Sequence, residues 1–227
     1  MIEGIGIATL ALLALWGAVA GIDLVSVPQF MMSRPLVVGV VAGAIVGDPM
    51  AGLRVGVVLE LFALDVLPVG AARYPDYGAA TIGAVLVVAG GPWVSGVGLG
   101  VATGLVIAAL GGWTMPVLRR ANAAAIAGRL DGLQAGDSAT IRALQYAGLA
   151  RDALRSGLLV VVAISAALLI RYLQPLGDEA ALALTVAVIG AGLASALAGA
   201  MRTAGRSVRV RWLMAGLATG LAVVLAW

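Results

Sequence analysis

The sequence predicts an all-α, polytopic inner-membrane protein whose helices are broken or re-entrant. Three observations carry this prediction. Apolar residues make up 62% of the 227 positions and charged residues only 11%, which lies outside the usual range of soluble domains. There are 32 glycines, as expected where membrane helices pack through small residues. Six of the eight prolines lie in or next to residues 23–91. Broken helices are typical of transporters built as inverted repeats, so we expect one membrane domain, residues 1–227, of that type.

The first two apolar runs differ in length. Residues 4–22 are long enough, at about 1.5 Å per residue, to cross most of a hydrocarbon core about 30 Å thick. After a polar break, the run from Pro35 to Gly47 is too short for a full crossing. We therefore expect a half-helix or re-entrant segment, with Ser33 as its cap and Pro35 in its first turn.

The next part of the chain is punctuated by Gly and Pro. Gly47-Asp48-Pro49 predicts a turn, because a residue before proline is pushed away from α geometry. An apolar helix carrying Glu60 is expected over residues 55–66, followed by an irregular stretch at residues 68–78. Residues 79–118 predict two further helical segments that meet at residues 90–93. The motif-bearing region is thus residues 23–91.

Arginine-rich segments set the expected topology. Residues 119–155 hold six arginines against three aspartates with amphipathic spacing, so we expect surface helices on the cytoplasmic side. Two crossings, residues 156–172 and 180–201, should follow, joined by an acidic loop. The next loop, residues 202–211, contains four arginines and no acid and should return to the cytoplasm. The last run, residues 212–227, is short.

Composition excludes several kinds of chemistry. The chain has no His, Cys or Lys, so it lacks the groups for a zinc site, a Ser-His-Asp triad or a thiol nucleophile. We expect no metal, no cofactor and no enzymatic activity of its own. The net charge of +3 comes from arginines clustered beside membrane segments, which favours contact with membrane lipid and argues against nucleic acid.

Four motifs occur in order within residues 23–91. They are PQFMMSRPL with Gln29, Arg34 and Pro35, a Gly47-Asp48 turn, LEL around Glu60, and PVGAARYPD from Pro68 to Asp76. Together they resemble the IIC membrane subunit of the mannose, fructose and sorbose family of sugar phosphotransferase systems. Four ordered motifs at matching spacing are a specific signal, whereas each alone is weak. The resemblance is dense over residues 23–91 and thin afterwards.

The resemblance implies a sugar-translocating permease subunit in a bacterial inner membrane. Such a IIC chain forms a hetero-oligomer with a IID membrane subunit, and a hexose-type sugar binds between a moving core and a scaffold. Soluble IIA and IIB proteins carry the phosphoryl groups. The absence of His and Cys here agrees with that division of labour.

Four residues are candidates for sugar binding. They are Glu60, Gln29, Asp76 and Asp65. An ionised Glu60 could accept bonds from sugar hydroxyls, or it could be a structural carboxylate tied to one of three arginines, Arg34, Arg54 or Arg73. Gln29 could bind sugar or cap exposed backbone, and Asp76 could bind sugar or cap a following helix. Asp65 is about 140° round a helix from Glu60, so we rank it lower.

Five motif residues are expected to be architectural. They are Arg34, Pro35, Asp48, Gly70 and Pro75. Asp48 suits an Asx-type bond in the turn, and Arg34 at a half-helix start can anchor at the membrane interface.

Two other functions are compatible with parts of the sequence. A related chain without transport activity could anchor phosphotransferase proteins at the membrane for regulation. An intramembrane aspartyl protease would need paired aspartates, but Asp48 and Asp65 are separated by a turn and lack that motif. A neighbouring gene for a IID-like chain would favour the permease over the anchor.

The topology can be tested with single cysteines, because the chain has none of its own. Residues 119–155 and 202–211 should both face the cytoplasm, since arginine-rich loops are retained there. Cysteine in place of Ser138 or Ser207 should therefore resist an impermeant thiol reagent added to intact cells, and react after the membrane is opened. Labelling of either position from outside would contradict the topology.

Overall fold

The fold is a bundle of α-helices. The computed structural model describes residues 5–66, 73–91, 96–173, 176–202, 204–208, 210–212, 214–216 and 218. In this part of the chain the helices are α1 (Ile7–Val25), α2 (Pro35–Val46), α3 (Pro49–Ala63), α4 (Tyr77–Val88), α5 (Gly96–Ala127), α6 (Leu130–Gln134), α7 (Ser138–Leu173) and α8 (Asp178–Ala200). Of the described helices, α1, α5, α7 and α8 are long and apolar enough to cross a membrane. The prediction of an all-α, multi-pass membrane protein is confirmed. An inverted repeat stays a prediction.

The α2–α3 hairpin is the predicted break in the bundle. α2 has only 12 residues and carries Pro35 at its start, so the predicted half-helix is present. Gly47 ends it in the left-handed region, at φ 82°, which glycine adopts without steric cost. Asp48 then caps α3 by accepting a hydrogen bond from the Ala51 N–H at 2.9 Å. The hairpin therefore turns where the sequence indicated.

Two details of the hairpin differ from expectation. The N-cap of α2 is Arg34, with no side-chain cap bond, so the prediction of a Ser33 cap is wrong. The Ser33 N–H instead donates to Asp23. The helix carrying Glu60 starts at Pro49 rather than at residue 55, because the Asp48 cap and Pro49 in the first turn nucleate it earlier than its apolar run suggests.

Glycines bring α2 and α3 into backbone contact. Gly39 and Gly43 of α2 face Gly52 and Gly56 of α3, each pair four residues apart and so on one helix face. A Cβ added at Gly52 would lie 2.0 Å from the Gly39 carbonyl oxygen, and one added at Gly39 would lie 2.4 Å from the Gly52 oxygen. Side chains of any size are excluded from this contact, as in other membrane helix pairs that use small residues.

The short helix α4 lies at the centre of the bundle. All of its residues except Val87 are buried, and it contacts α5, α7, α2, α3 and α1. Its C-terminal carbonyl groups, on Leu86 and Ala89, accept hydrogen bonds from Nη1 of Arg171 at 2.8 and 2.7 Å. A cation at this end also complements the helix dipole. The Gly90 N–H donates to Asp48 at 3.2 Å, which joins α4 to the hairpin turn.

The helix α7 is longer than the sequence suggested. We expected surface helices up to residue 155 and a separate membrane span from residue 156, but α7 continues without a break from Ser138 to Leu173. Asp152, Arg155 and Ser156 are buried within it. The charged pair did not end the helix, because its side chains find partners inside the bundle.

Both arginine-rich segments lie at the same end of the bundle. Here α1 ends and α2 begins, with Ser26 bonded to Asp152 of α7. The residues after α3 reach the end of α8, where Arg202 pairs with Asp65 at 2.6 Å. We call this the arginine-rich end. Its orientation in the membrane stays a prediction.

The glycine contact predicts that Gly→Ala changes stability differently at two helical positions. Gly52→Ala should lower the free energy of unfolding by about 1–3 kcal/mol, because its Cβ overlaps the α2 backbone. Gly157→Ala is the matched control in α7, where no neighbour lies within 4 Å of the added Cβ. It should be neutral or stabilising by about 0.5–1 kcal/mol, as Gly→Ala is in a helix interior. Thermal unfolding of the purified variants measures both, and equal effects would contradict the packing.

Candidate functional site

A polar cavity opens at the arginine-rich end. Its volume is about 630 Å³, within the range of small-molecule sites. The residues that line it come from the end of α1, the following loop, the residues before α4, and α5. They are Asp23, Leu24, Val25, Ser26, Gln29, Met31, Ser33, Arg34, Tyr74, Met115, Leu118, Arg119 and Asn122. We call this space the cavity.

The loop that follows α1 forms one wall of the cavity. We call residues 26–33 the cavity loop. It contains a cis peptide bond before Pro28, and Gln29 and Met31 have positive φ angles of 60° and 63°. The carboxylate of Asp23 accepts hydrogen bonds from the Phe30 N–H at 2.6 Å and the Ser33 N–H at 3.0 Å. Gln29, a predicted sugar-binding residue, is thus exposed at the cavity wall.

Glu60 of α3 pairs with Arg34 at the start of α2. Nη2 of Arg34 donates to Oε1 of Glu60, and the Leu36 N–H donates to Oε2 at 3.2 Å. Of the three arginines considered from the sequence, the structure therefore selects Arg34. The two side chains are 36% and 19% exposed, so solvent screens the pair. Glu60 does not itself line the cavity, but its partner Arg34 does.

Asp76 is buried at the start of α4. The residue is 1% exposed, and its Oδ2 accepts from Nη1 of Arg155 at 2.9 Å. Its other oxygen, Oδ1, has no hydrogen-bond partner among the described residues. Asp76 occupies the N-cap position of α4 without making a side-chain cap bond. It does not line the cavity, although Tyr74, two residues earlier, does.

A buried network around Arg155 was missed by the sequence reasoning, which placed this arginine at the surface. Besides Asp76, its guanidinium donates to Asp152 at 3.2 Å, Thr114 at 3.2 Å and Ser156 at 3.1 Å. Asp152 in turn accepts from the Ser26 hydroxyl at 2.7 Å. The network joins α4, α5 and α7 to the cavity loop. The available signal was the Asp-x-x-Arg spacing directly before an apolar run.

Among the other predicted residues, the three that the structure describes do not line the cavity. Asp65 follows the end of α3 and pairs with Arg202, so the angle expected between it and Glu60 on one helix does not apply. Asp48 is at the opposite end of the hairpin, where its carboxylate accepts two backbone N–H bonds. These bonds hold its pKa below the usual value. Pro75 is half-buried beside Asp76. Gly70 lies outside the described residues.

The cavity lining carries both hydrogen-bond donors and acceptors. Among the described residues, no three acidic side chains converge on a point that could hold a metal ion. The cavity is lined by the amides of Gln29 and Asn122, two serines of the loop and two arginines. One of the arginines, Arg119, lies 5.5 Å from the Tyr74 ring centre. Such a set both donates and accepts hydrogen bonds.

Comparison with known proteins identifies the family. Residues 7–187 match the model of the PTS system sorbose-specific IIC component. The chain belongs to this family. The match covers all the site residues described above, so the resemblance noted in the motifs of residues 23–91 is confirmed.

Individual relatives are similar over a shorter region. The sorbose-specific EIIC component of Lacticaseibacillus casei is 38% identical over 101 residues, which are 44% of this chain and 35% of the relative. That of Klebsiella pneumoniae is 38% identical over 108 residues, 46% of this chain and 39% of the relative. The mannose-specific EIIC component of Escherichia coli strain K12 is 36% identical over 84 residues, 37% of this chain and 30% of the relative. The similarity thus spans 30–39% of the length of these relatives.

Solved structures share the fold. A structure described only as a membrane protein superposes with a TM-score of 0.76 at 23% identity, covering 95% of this chain and 87% of the other. The mannose transporter ManYZ in its complex with microcin E492 gives a TM-score of 0.63 at 22% identity, covering 98% and 96%. At these identities the likeness concerns the fold alone.

The buried network predicts a large difference between two arginines of α7. Arg155→Gln should lower the free energy of unfolding by about 3–5 kcal/mol, because it leaves two buried carboxylates without their cation. Arg151→Gln, one turn earlier, removes only a bond to Asn122 at 3.1 Å and should cost about 1 kcal/mol or less. Chemical or thermal unfolding in detergent measures the difference. Similar losses would show that Arg155 is not the centre of the network.

Proposed function

We propose that the chain is the sugar-translocating IIC subunit of a mannose-type phosphotransferase system in a bacterial inner membrane. The observation that supports this most is the polar cavity beside the family motifs. Polar groups at membrane depth are costly and usually face a solute or a partner. A membrane anchor that only recruits other proteins would not need such a cavity, which is why we prefer the permease.

A hexose-type sugar suits this cavity because it is neutral and carries many hydroxyl groups. Each hydroxyl can donate one hydrogen bond and accept two, so its site needs both acceptors and donors. Gln29 provides both through its amide and lines the cavity. Arg34 provides donors at the same wall. The binding of sugar is therefore proposed to begin at the cavity loop.

Glu60 contributes the strongest acceptor in this proposal. Each of its oxygens takes one protein hydrogen bond, from Arg34 and from Leu36, and each keeps capacity for another. Hydrogen bonds to an ionised carboxylate are about twice as strong as neutral ones. A sugar hydroxyl at the Arg34 wall would thus find an oriented, charged acceptor.

Asp76 and Asp65 are the other two residues proposed to bind the sugar, and Asp76 is the stronger candidate of the two. Oδ2 of Asp76 is fixed by Arg155 while the buried Oδ1 has no described partner, so Oδ1 is the natural acceptor for a ligand hydroxyl. For Asp76 to take part, the cavity has to extend past Tyr74 towards α4, which implies a second conformation. Asp65 is the weaker candidate, because its carboxylate is engaged by Arg202.

Partner chains are part of this proposal. A chain without His or Cys has no imidazole or thiol to carry a phosphoryl group. The phosphoryl group would therefore come from IIA and IIB proteins. A IID membrane subunit would cover part of the exposed apolar surface and form the hetero-oligomer. The fold shared with the mannose transporter ManYZ supports such an assembly.

The proposal predicts a specific effect of Glu60→Gln. This change keeps the shape and one acceptor but removes the charge, so hexose affinity should fall by at least about tenfold if charge-assisted bonds are lost. Binding is measured on the complex purified with its IID partner, and uptake in vesicles supplied with IIA and IIB. Glu179→Gln, an exposed acid in the first turn of α8, is the matched control and should leave affinity unchanged.

A structural role for Glu60 would give a different result. Loss of the ion pair with Arg34 would then lower assembly or thermal stability, while the protein that still assembles binds hexose as the wild type does. That outcome would remove Glu60 from the site. Absence of any hexose uptake by the wild-type complex would contradict the permease and favour the anchor.

A further inference from the structure

The cavity loop has a backbone that needs outside support. Both Gln29 and Met31 have positive φ, an uncommon conformation for residues with a side chain. Such residues persist where surrounding contacts fix them, and they cluster at functional sites. Two carboxylates of other elements, Asp23 of α1 and Asp152 of α7, accept hydrogen bonds from the loop.

Asp23 holds the part of the loop that presents Gln29. It is 2% exposed and lies in the last turn of α1, where its carboxylate contacts the cavity loop. Its Oδ1 accepts from the Phe30 N–H at 2.6 Å, and its Oδ2 accepts from the Ser33 N–H at 3.0 Å. The Phe30 N–H belongs to the peptide group that joins Gln29 to Phe30. Holding that peptide restrains ψ of Gln29, and with it the direction in which the Cα–Cβ bond of Gln29 leaves the loop.

Asp152 holds the start of the same loop. It accepts from the Ser26 hydroxyl at 2.7 Å and is itself held by Arg155 at 3.2 Å. The Ser26 N–H closes the last turn of α1 on the Ile22 carbonyl group at 2.9 Å. The loop is thus fixed at residue 26 by α7 and at residues 30 and 33 by Asp23, which leaves Gln29 between two anchored points.

We propose that Asp23 is a positioning residue for the sugar site, which sets the orientation of Gln29 in the cavity through the Phe30 and Ser33 N–H groups. This inference rests on the proposed function, because it gives Gln29 a ligand. Asp23 acts through Gln29 in this account: both of its oxygens are engaged by backbone, although the residue also lines the cavity. Carboxylates that accept backbone N–H bonds make strong, short contacts, which suits a fixed rather than an adaptable loop.

The chain offers a chemically matched control. Asp48 also accepts two backbone N–H bonds, from Ala51 at 2.9 Å and from Gly90 at 3.2 Å. It lies at the turn of the α2–α3 hairpin, away from the cavity. Asp23→Asn and Asp48→Asn make the same chemical change, replacing one carboxylate oxygen by an NH₂ group that cannot accept. A general loss of stability should therefore be similar in both variants, whereas a loss of loop order should be confined to Asp23→Asn.

The experiment combines two measurements on the complex with its IID partner. Hydrogen exchange of peptides covering residues 26–34 reports the order of the cavity loop without any sugar. Hexose affinity is then measured for Asp23→Asn, Asp48→Asn, Gln29→Ala and the double variant Asp23→Asn with Gln29→Ala. We expect faster exchange in residues 26–34 and about tenfold weaker binding for Asp23→Asn and neither effect for Asp48→Asn, the size expected when one well-placed hydrogen bond to the ligand is lost. In the Gln29→Ala background, Asp23→Asn should add little further loss, because coupled residues are not additive.

Each other outcome contradicts a stated part of the idea. Equal losses for Asp23→Asn with and without Gln29 would mean that Asp23 contacts the sugar directly or acts elsewhere, and would overturn the positioning role. Unchanged exchange in residues 26–34 would overturn it as well, whatever the affinity. If the wild-type complex binds no hexose, the proposed function fails, and the exchange data alone then decide whether Asp23 orders the loop.

Discussion

Breaking a helix inside a membrane leaves backbone N–H and C=O groups that water cannot satisfy, and the rest of this structure depends on how those groups are paired. Each unpaired group costs several kcal/mol in hydrocarbon. Here charged side chains provide the partners: Asp23 for the cavity loop, Asp48 for the start of α3, and Arg171 for the end of α4. A carboxylate that accepts two backbone N–H groups provides the acceptors that the carbonyl groups of a continuous helix would otherwise provide. The breaks are therefore tolerated at three places, and one of them, the cavity loop, opens a polar space.

The same constraint explains why the cavity lies at the arginine-rich end. Gly39 and Gly52 bring α2 and α3 together along their length, and the hairpin turn is tied to α4 through Gly90. No room is left for a ligand at that turn. At the open end of the hairpin, α1 and α2 are separated by the cavity loop, and long side chains such as Arg34 and Arg119 replace close backbone contact. Among the described residues, close packing at the hairpin turn contrasts with the open volume at the arginine-rich end.

Elements with a local cause could be predicted from the sequence. The half-helix from Pro35 and the turn at Gly47-Asp48 follow from the preferences of proline and glycine within a few residues. The Ser33 cap failed because α2 begins one residue later than expected, with Arg34 as its N-cap, and the Leu36 N–H in its first turn donates to Glu60 of α3. The break expected at residue 155 is absent because Asp152 and Arg155 are buried and paired inside the bundle, so α7 continues past them. In both cases a contact from another element overrode the local pattern.

The sequence by itself determined the class of protein and the breaks at Pro35 and at Gly47-Asp48, because hydrophobicity, proline and glycine act over short distances. The residues proposed to bind sugar came from the family motifs and stay a prediction. Only the tertiary structure decided how the charged residues pair. The fourteen arginines and eleven acids allow many combinations, and the pairs formed by Glu60, Asp76 and Asp65 join residues 26, 79 and 137 positions apart. Which arginine meets which acid depends on which helices pack together and at what depth. As a result, Glu60 lies next to the cavity residue Arg34, whereas Asp76 is buried at the start of α4.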